Sequence, residues 1–261
     1  MRILILITHF LLFNILEGHV NPITKLSIYS ERCSGSNYVY RLILENTHLI
    51  QAPLCHKHFP PWFDLPRECW SGLPQAYDFE NTDDTLFILV VRDPYEWSKS
   101  FHRKPWCASY NLRRLAYSDF IRAKWITDPS DPAILNEVLN NPWVDKDPDT
   151  LEPFGNIFKL REAKLKNMLE VQAKVLNFLL INYEEARDHP KELLEKISVK
   201  FGIELKEDFN PIYNYKGDLN QGIYHPKKYS SISSKDISFI NSQLNKSLEE
   251  SVGYRIKTLE P

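Results

Sequence analysis

Glycine is scarce in this chain, 8 of 261 residues against 17 prolines. That excludes a collagen-like repeat, and it leaves proline to mark most loop boundaries. Internal repeats and low-complexity tracts are missing too, which excludes repeat architectures. There is no excess of one charge: 32 basic and 34 acidic residues give a formal net charge of −2. No global basic field therefore draws the chain to nucleic acid, and any anionic ligand must be held by local basic residues. Long apolar runs are confined to the N-terminus, where Ile3 to Leu16 is broken only by Thr8, His9 and Asn14. This stretch falls short of the roughly 20 residues that a spanning helix needs, and a multi-span membrane protein is excluded. Cysteine is limited to Cys33, Cys55, Cys69 and Cys107. Four cysteines allow two disulfides in three connectivities, but a chain of this length needs no disulfide framework, and buried or incidental thiols account for them equally well. The rest is ordinary: 43% hydrophobic and 25% charged residues suit a soluble globular protein of one large domain or two small ones, not a disordered chain.

Arg2, the apolar stretch and Glu17-Gly18-His19 have the form of a secretory signal with a cut after Gly18. A short signal anchor, or a hydrophobic strand or helix packed on the domain, fits the same residues. The expected organisation is a signal or short anchor over residues 1–22 and a single domain over 23–261. A signal would route the chain to the secretory pathway, to the Golgi lumen or outside the cell; without one it is cytoplasmic. Asn245-Lys246-Ser247 is a glycosylation sequon, of a kind that arises by chance at this length.

Lys25 to Ser30 reads as a strand, followed by a polar loop over 31–36. Val39, Leu42 and Ile43 fall at i, i+3 and i+4, so Tyr38 to Glu45 reads as a helix. Leu49 to Leu54 is a second short apolar run, and residues 60–83 are loop-like. Thr85 to Val91 is apolar almost throughout, as a strand buried on both faces is. Asp93, Pro94 and Glu96 suit the N-cap, the first helical position and the capping-box acid of a following helix. Residues 117–155 form a long proline-marked connection with short helices. Residues 159–173 are helical, with Leu165, Met168, Leu169 and Gln172 on one stripe. Val175 to Ile181 reads as another buried strand and Pro190 to Phe201 as a helix. Ser233 to Glu250 reads as one last helix that starts at a Ser233-x-x-Asp236 capping box. Strands alternating with helices predict an α/β layered domain with a mostly parallel sheet. Ligands bind such sheets at the C-terminal strand ends, which points to the loops at 31–36, 55–60 and 92–100.

In the first loop, Glu31-Arg32-Cys33-Ser34-Gly35-Ser36-Asn37 joins a strand to a helix N-terminus, where free N–H groups and the helix dipole favour a phosphate. The Gly-Lys-[Ser/Thr] end of a Walker loop is missing. An ordinary capped turn has a similar composition. In the second loop, Cys55-His56-Lys57-His58-Phe59-Pro60 crowds titratable groups, and one imidazole is suited to general-base work near neutral pH. A zinc site on Cys55, His56 and His58 lacks a second paired cluster, and exposed loop histidines are the plainer alternative. In the third loop, Arg92 ends a buried strand and Ser100 lies two turns into the next helix. Such an Arg suits bidentate phosphate binding, or a structural pair with Asp93 or Glu96.

Taken together, these loops resemble those of the sulfotransferases that use 3′-phosphoadenosine-5′-phosphosulfate. The family's Lys-Ser-Gly-Thr-Thr phosphate loop is matched by Cys33-Ser34-Gly35-Ser36-Asn37, with cysteine at the lysine position. Its Lys-Thr-His-Leu-Pro segment is matched by His56-Lys57-His58-Phe59-Pro60, and its Arg-Asn-Pro with a later Ser by Arg92-Asp93-Pro94 and Ser100. Leu180 to Glu185 with His189-Pro190, and Ser247 to Tyr254, are similar to later family segments. Lys216-Gly217 partly echoes the family's late Arg-Lys-Gly loop. The likeness runs from about residue 24 to residue 256.

The resemblance implies a P-loop-nucleotide-binding-like three-layer sandwich and sulfonate transfer to an acceptor hydroxyl, with no metal. It implies His58 as general base, with Lys57 and Arg32, helped by Ser34, opposing charge on the bridging oxygen. It implies that Cys33, Ser34, Gly35, Ser36 and Asn37 hold the donor's 5′ end, Arg92 and Ser100 its 3′-phosphate, and Lys216 and Gly217 further donor contacts. The acceptor site falls to segments 60–83 and 103–155, with Trp62, Trp70, Trp106, Trp125 and Trp143, whose rings suit a sugar or a phenol or simply fill a core. A carbohydrate acceptor is preferred to a protein tyrosine or a small metabolite; no nucleic acid partner is expected, and membrane contact only through the N-terminal segment. The competing readings are a kinase-like P-loop protein, against which the missing Walker lysine counts, and a catalytically inactive relative that binds nucleotide or a partner.

Overall fold

The computed structural model describes residues 21–52, 57–58, 79, 81–128, 145–213 and 224–258. The N-terminal segment, Cys55, His56, Cys69, Trp62, Trp70, Trp143, Lys216 and Gly217 lie outside the described residues.

Strands β1 (Lys25–Ser30), β2 (Ile50–Gln51), β3 (Thr85–Val91) and β4 (Phe178–Asn182) form one parallel sheet in the order β2-β1-β3-β4. The run from Thr85 to Val91 is central and buried along its whole length, as its unbroken apolar sequence requires. Its side chains alternate between faces. Leu86, Ile88 and Val90 pack with Leu26 and Ile28 against α1 (Ser36–Asn46), α6 (Tyr183–Asp188) and α7 (Pro190–Phe201). Phe87, Leu89 and Val91 face Leu165, Met168 and Val171 of α5 (Ile157–Leu169) and its 3₁₀ extension Glu170–Ala173. The chain is thus an α/β three-layer sandwich.

A third apolar cluster is built mostly from helices. It joins α2 (Pro94–Arg103), α3 (Tyr110–Arg113), α4 (Tyr117–Phe120), α5 and α8 (Ser234–Gln243) around Trp97, Phe101 and Trp125. The last helix, α9 (Lys246–Ser251), is tied to α5 by a buried Arg161–Glu249 pair at 2.7 Å. Arg161 also donates to the Arg92 carbonyl at 3.0 Å, which fixes the end of β3.

Several expected details are corrected. The strand expected over Val175 to Ile181 begins at Phe178 and is half-buried, because among the described residues β4 is the sheet's edge. Gln172 leaves the helical stripe and is exposed, because the helix tightens to 3₁₀ at Glu170. The single helix expected over Ser233 to Glu250 is two. Asn245 restarts the chain by accepting from the Leu248 N–H, and its amide also donates to Glu162 at 2.8 Å. The sequon's asparagine thus serves as a helix cap. Asp93 caps α2 through the Tyr95 and Glu96 amides, but the reciprocal bond is not made by Glu96: the Asp93 amide donates to Glu184 instead.

Candidate functional site

The strand order reverses around β1, with β2 on one side and β3 on the other. Sheets of this kind offer a crevice outside the carboxyl ends of the strands at such a point. The first loop leaves β1 there. Cys33 and Gly35 both take left-handed backbone conformations, with φ of 64° and 88°, and the Ser34 amide closes a turn onto the Glu31 carbonyl at 3.2 Å. Gly35 is the N-cap of α1 and supplies no side-chain cap. A Cβ on it would lie under 3 Å from three carbons of the Tyr183 ring, 2.6 Å from Cε2 and 2.9 Å from Cγ. The opening amides of a helix have no intrahelical acceptor, and with the dipole they attract an anion. The Ser34 hydroxyl is fully buried and has no partner among the described residues.

Cys33 donates its thiol to the Lys104 carbonyl at 3.4 Å. Burial pushes this thiol up to about 11, against the opposing pull of Arg32 and Arg92. It is therefore a neutral thiol at pH 7 and brings no charge to the loop.

Arg92 reaches the same place from the end of β3. It donates to the Cys33 carbonyl at 3.3 Å and lies over the rings of Tyr183, at 4.5 Å, and Tyr229, at 5.6 Å. Its Nε has no partner among the described residues, and its anion in this structure is Glu96, at 3.2 Å. Ser100, buried on α2, lies close enough to the Cys33 thiol to counter part of that rise. The structure thus brings Cys33, Arg92 and Ser100 together.

The second loop docks on the first. The Ser30 amide donates to the Lys57 carbonyl at 3.1 Å, and the Lys57 ammonium donates to the Asn37 side chain. The His58 Nδ1 lies 2.9 Å from the Ser30 carbonyl. A carbonyl only accepts, so Nδ1 carries the proton and the neutral ring has its lone pair on Nε2. Lys164 of α5 donates to the His58 carbonyl at 2.8 Å.

Arg32 is not brought to this group. Its side chain is 1% exposed and turned into the fold, paired with Glu31 at 3.1 Å and Asp145 at 2.8 Å. It stacks 4.7 Å from the Trp125 ring and donates to the Trp106 carbonyl at 3.3 Å. Its charge is engaged in the core, so the described basic side chains at the loops are Lys57 and Arg92. Trp125 is a core residue as well, whereas Trp106 is 44% exposed. Cys33 is a free thiol, and no metal-holding group occurs among the described residues.

Sequence reasoning missed Tyr183, Asp145 and Lys164. Lys164 sits within the apolar stripe Leu160, Leu165 and Met168 of α5, and a lysine inside such a stripe was the available signal. Tyr183 follows a strand end, as the three loops do. Asp145 gave no signal in the sequence.

No family model matches the chain, and no curated protein matches it either. The functional reading therefore rests on the residues and their placement.

Proposed function

We propose that the chain is a sulfotransferase. In this reading it binds 3′-phosphoadenosine-5′-phosphosulfate and moves the sulfonate to an acceptor hydroxyl, preferably on a carbohydrate. The observation that carries the reading is the docking of three strand-end segments on one another: Lys57 on Asn37, Arg92 on Cys33 and His58 on Ser30. Two buried polar groups at that junction, the Ser34 hydroxyl and Arg92 Nε, lack partners among the described residues, as donors reserved for a ligand do.

The donor's 5′ end lies at the N-terminus of α1 with Ser34 to Asn37, and its 3′-phosphate lies on Arg92 and Ser100. His58, with Nδ1 held by Ser30, takes the acceptor's hydroxyl proton on Nε2. The acceptor oxygen forms a bond to sulfur as the bond from sulfur to the bridging oxygen breaks, and adenosine 3′,5′-bisphosphate leaves. Lys57 opposes the charge that grows on that bridging oxygen. The general base contributes about 10²–10⁴-fold, and the fixed positive groups add electrostatic stabilisation. No described helix is long and apolar enough to cross a membrane; if the N-terminal segment is a signal, the acceptor is met in a secretory lumen.

Calorimetric titration with adenosine 3′,5′-bisphosphate and with ATP tests the nucleotide site. Micromolar binding of the bisphosphate without ATP binding supports it, and binding of neither ends the reading. His58→Ala should then lose transfer by about 100-fold or more while keeping the nucleotide.

The neutral Cys33 favours a second reading, a nucleotide-binding module without transfer. In that case the bisphosphate binds and no hydroxyl acceptor is sulfonated.

A further inference from the structure

Four ionisable side chains are buried together beneath the first two loops: Glu31, Arg32, Asp145 and Lys164, each at most 6% exposed. Two are acidic and two basic, so the group is electrically balanced. Asp145 is its hub. It pairs with Arg32 at 2.8 Å and with Lys164, and it accepts from Trp125 Nε1 at 3.2 Å and from the Thr127 hydroxyl at 3.1 Å. Burial alone would raise its carboxyl, but the Arg32 and Lys164 charges outweigh that and hold it below the usual range. Lys164 also lies 3.7 Å from Glu31. Its ammonium also reaches outside the quartet and donates to the main-chain carbonyl of His58 at 2.8 Å.

Buried ion pairs add little net stability, and an apolar side chain of similar volume often packs as well. A methionine at 164 would fill the same space on α5. It would not hold the His58 carbonyl. The His58 ring, for its part, has its tautomer set by Nδ1 on the Ser30 carbonyl, which a shift of the 57–58 turn would break.

We propose that Lys164, anchored by Asp145, is a positioning residue. It fixes the backbone of His58 so that the imidazole keeps its Nδ1–H tautomer and presents Nε2 at the crevice. The proposal rests on the reading of His58 as general base for its catalytic consequence, but not for its structural one.

The test is the double variant Asp145→Asn/Lys164→Met, which leaves the Glu31–Arg32 pair balanced. Nitrogen and carbon chemical shifts of labelled histidine, with His58→Ala supplying the assignment, read the tautomer directly. Wild-type protein should show His58 as the Nδ1–H form; an Nε2–H form there overturns the proposal without any variant. A folded double variant should bind adenosine 3′,5′-bisphosphate within about twofold of wild type, show mixed His58 tautomers, and lose kcat by about 10- to 100-fold at unchanged donor KM, as a small misplacement of a reacting group does. A folded double variant with an unchanged tautomer and kcat refutes it. Failure of the general-base reading looks different: His58→Ala transfers as fast as wild type while the tautomer still responds to the double variant.

Discussion

Replacing Gly35 by alanine tests the geometry of the first loop most directly. Two costs add. At φ 88° an alanine sits in the left-handed region, which costs about 1–2 kcal/mol. Its methyl group also meets the Tyr183 ring. That ring cannot swing aside easily: Tyr38 abuts it edge-on at 6.5 Å, Arg92 covers it at 4.5 Å, and its hydroxyl is bonded to Tyr224. Overpacking of such a site costs about 1–3 kcal/mol. The expected loss is therefore about 2–5 kcal/mol, or roughly 4–20 °C in Tm for a domain of this size. The assay is thermal or urea unfolding of four proteins: wild type, Gly35→Ala, Tyr183→Ala and the double variant. With the ring removed, Gly35→Ala should cost only the backbone part, about 1–2 kcal/mol. A single variant within about 0.5 kcal/mol of wild type, the usual span for an uninvolved surface site, refutes the reasoning. So does an equal cost in both tyrosine backgrounds, because then the ring is not the obstacle.

Other outcomes follow from the same region. Ser34→Ala removes a buried hydroxyl that has no partner among the described residues, so it should leave stability unchanged or raise it by about 1 kcal/mol while weakening bisphosphate binding; a clear loss of stability would mean that the hydroxyl is engaged in the folded protein. Glu96→Gln removes the carboxylate that faces Arg92 at 3.2 Å. Bisphosphate affinity by calorimetry should rise by up to about fivefold, the worth of a partly exposed pair, and a fall would count against Arg92 as the phosphate ligand. Acid stability follows from Asp145 and Asp236. Burial works to raise both carboxyls, but Arg32 and Lys164 in one case, and Ser118, Arg122 and Ser233 in the other, leave them lowered. A lowered carboxyl stabilises the fold above its unfolded value, near about 4, and loses that contribution as pH falls through its folded value. Tm followed from pH 7 to pH 2 should therefore stay level at first and drop below about pH 4, and a Tm that rises on acidification contradicts both assignments.

The segments legible in the sequence are those whose pattern is decided locally. The strand Thr85–Val91 and the helix Pro190–Phe201 have the bounds that apolar runs and proline placement predict. Asp93 caps its helix because a short acid at that place satisfies the first amides whatever surrounds it. What could not be read depends on partners distant in sequence. Leu179 and Leu180 are as apolar as a central strand, yet they are half-buried because among the described residues no strand pairs beyond them. The Glu96 side chain satisfies the capping-box pattern but is drawn off to Arg92 and Arg187.

The site divides along the same line. The loops that supply Ser34, Gly35, His58 and Arg92 were marked by residue type at strand ends. The direction of each charge was not marked. Arg32 and Arg92 are both arginines just beyond a strand end, and composition cannot separate them. Arg32 meets Asp145, 113 positions further on (145 − 32), and is withdrawn into the core. Among the described residues Arg92 meets one carboxylate, Glu96 one turn along and 41% exposed, together with two tyrosine faces and the Cys33 carbonyl. A buried arginine paired with two buried carboxylates is neutralised and held in place by them; one paired with a single, partly exposed carboxylate keeps charge to offer an anion. That difference makes Arg92 the better candidate for an anion, and it exists only once residue 145 has been folded under the loop.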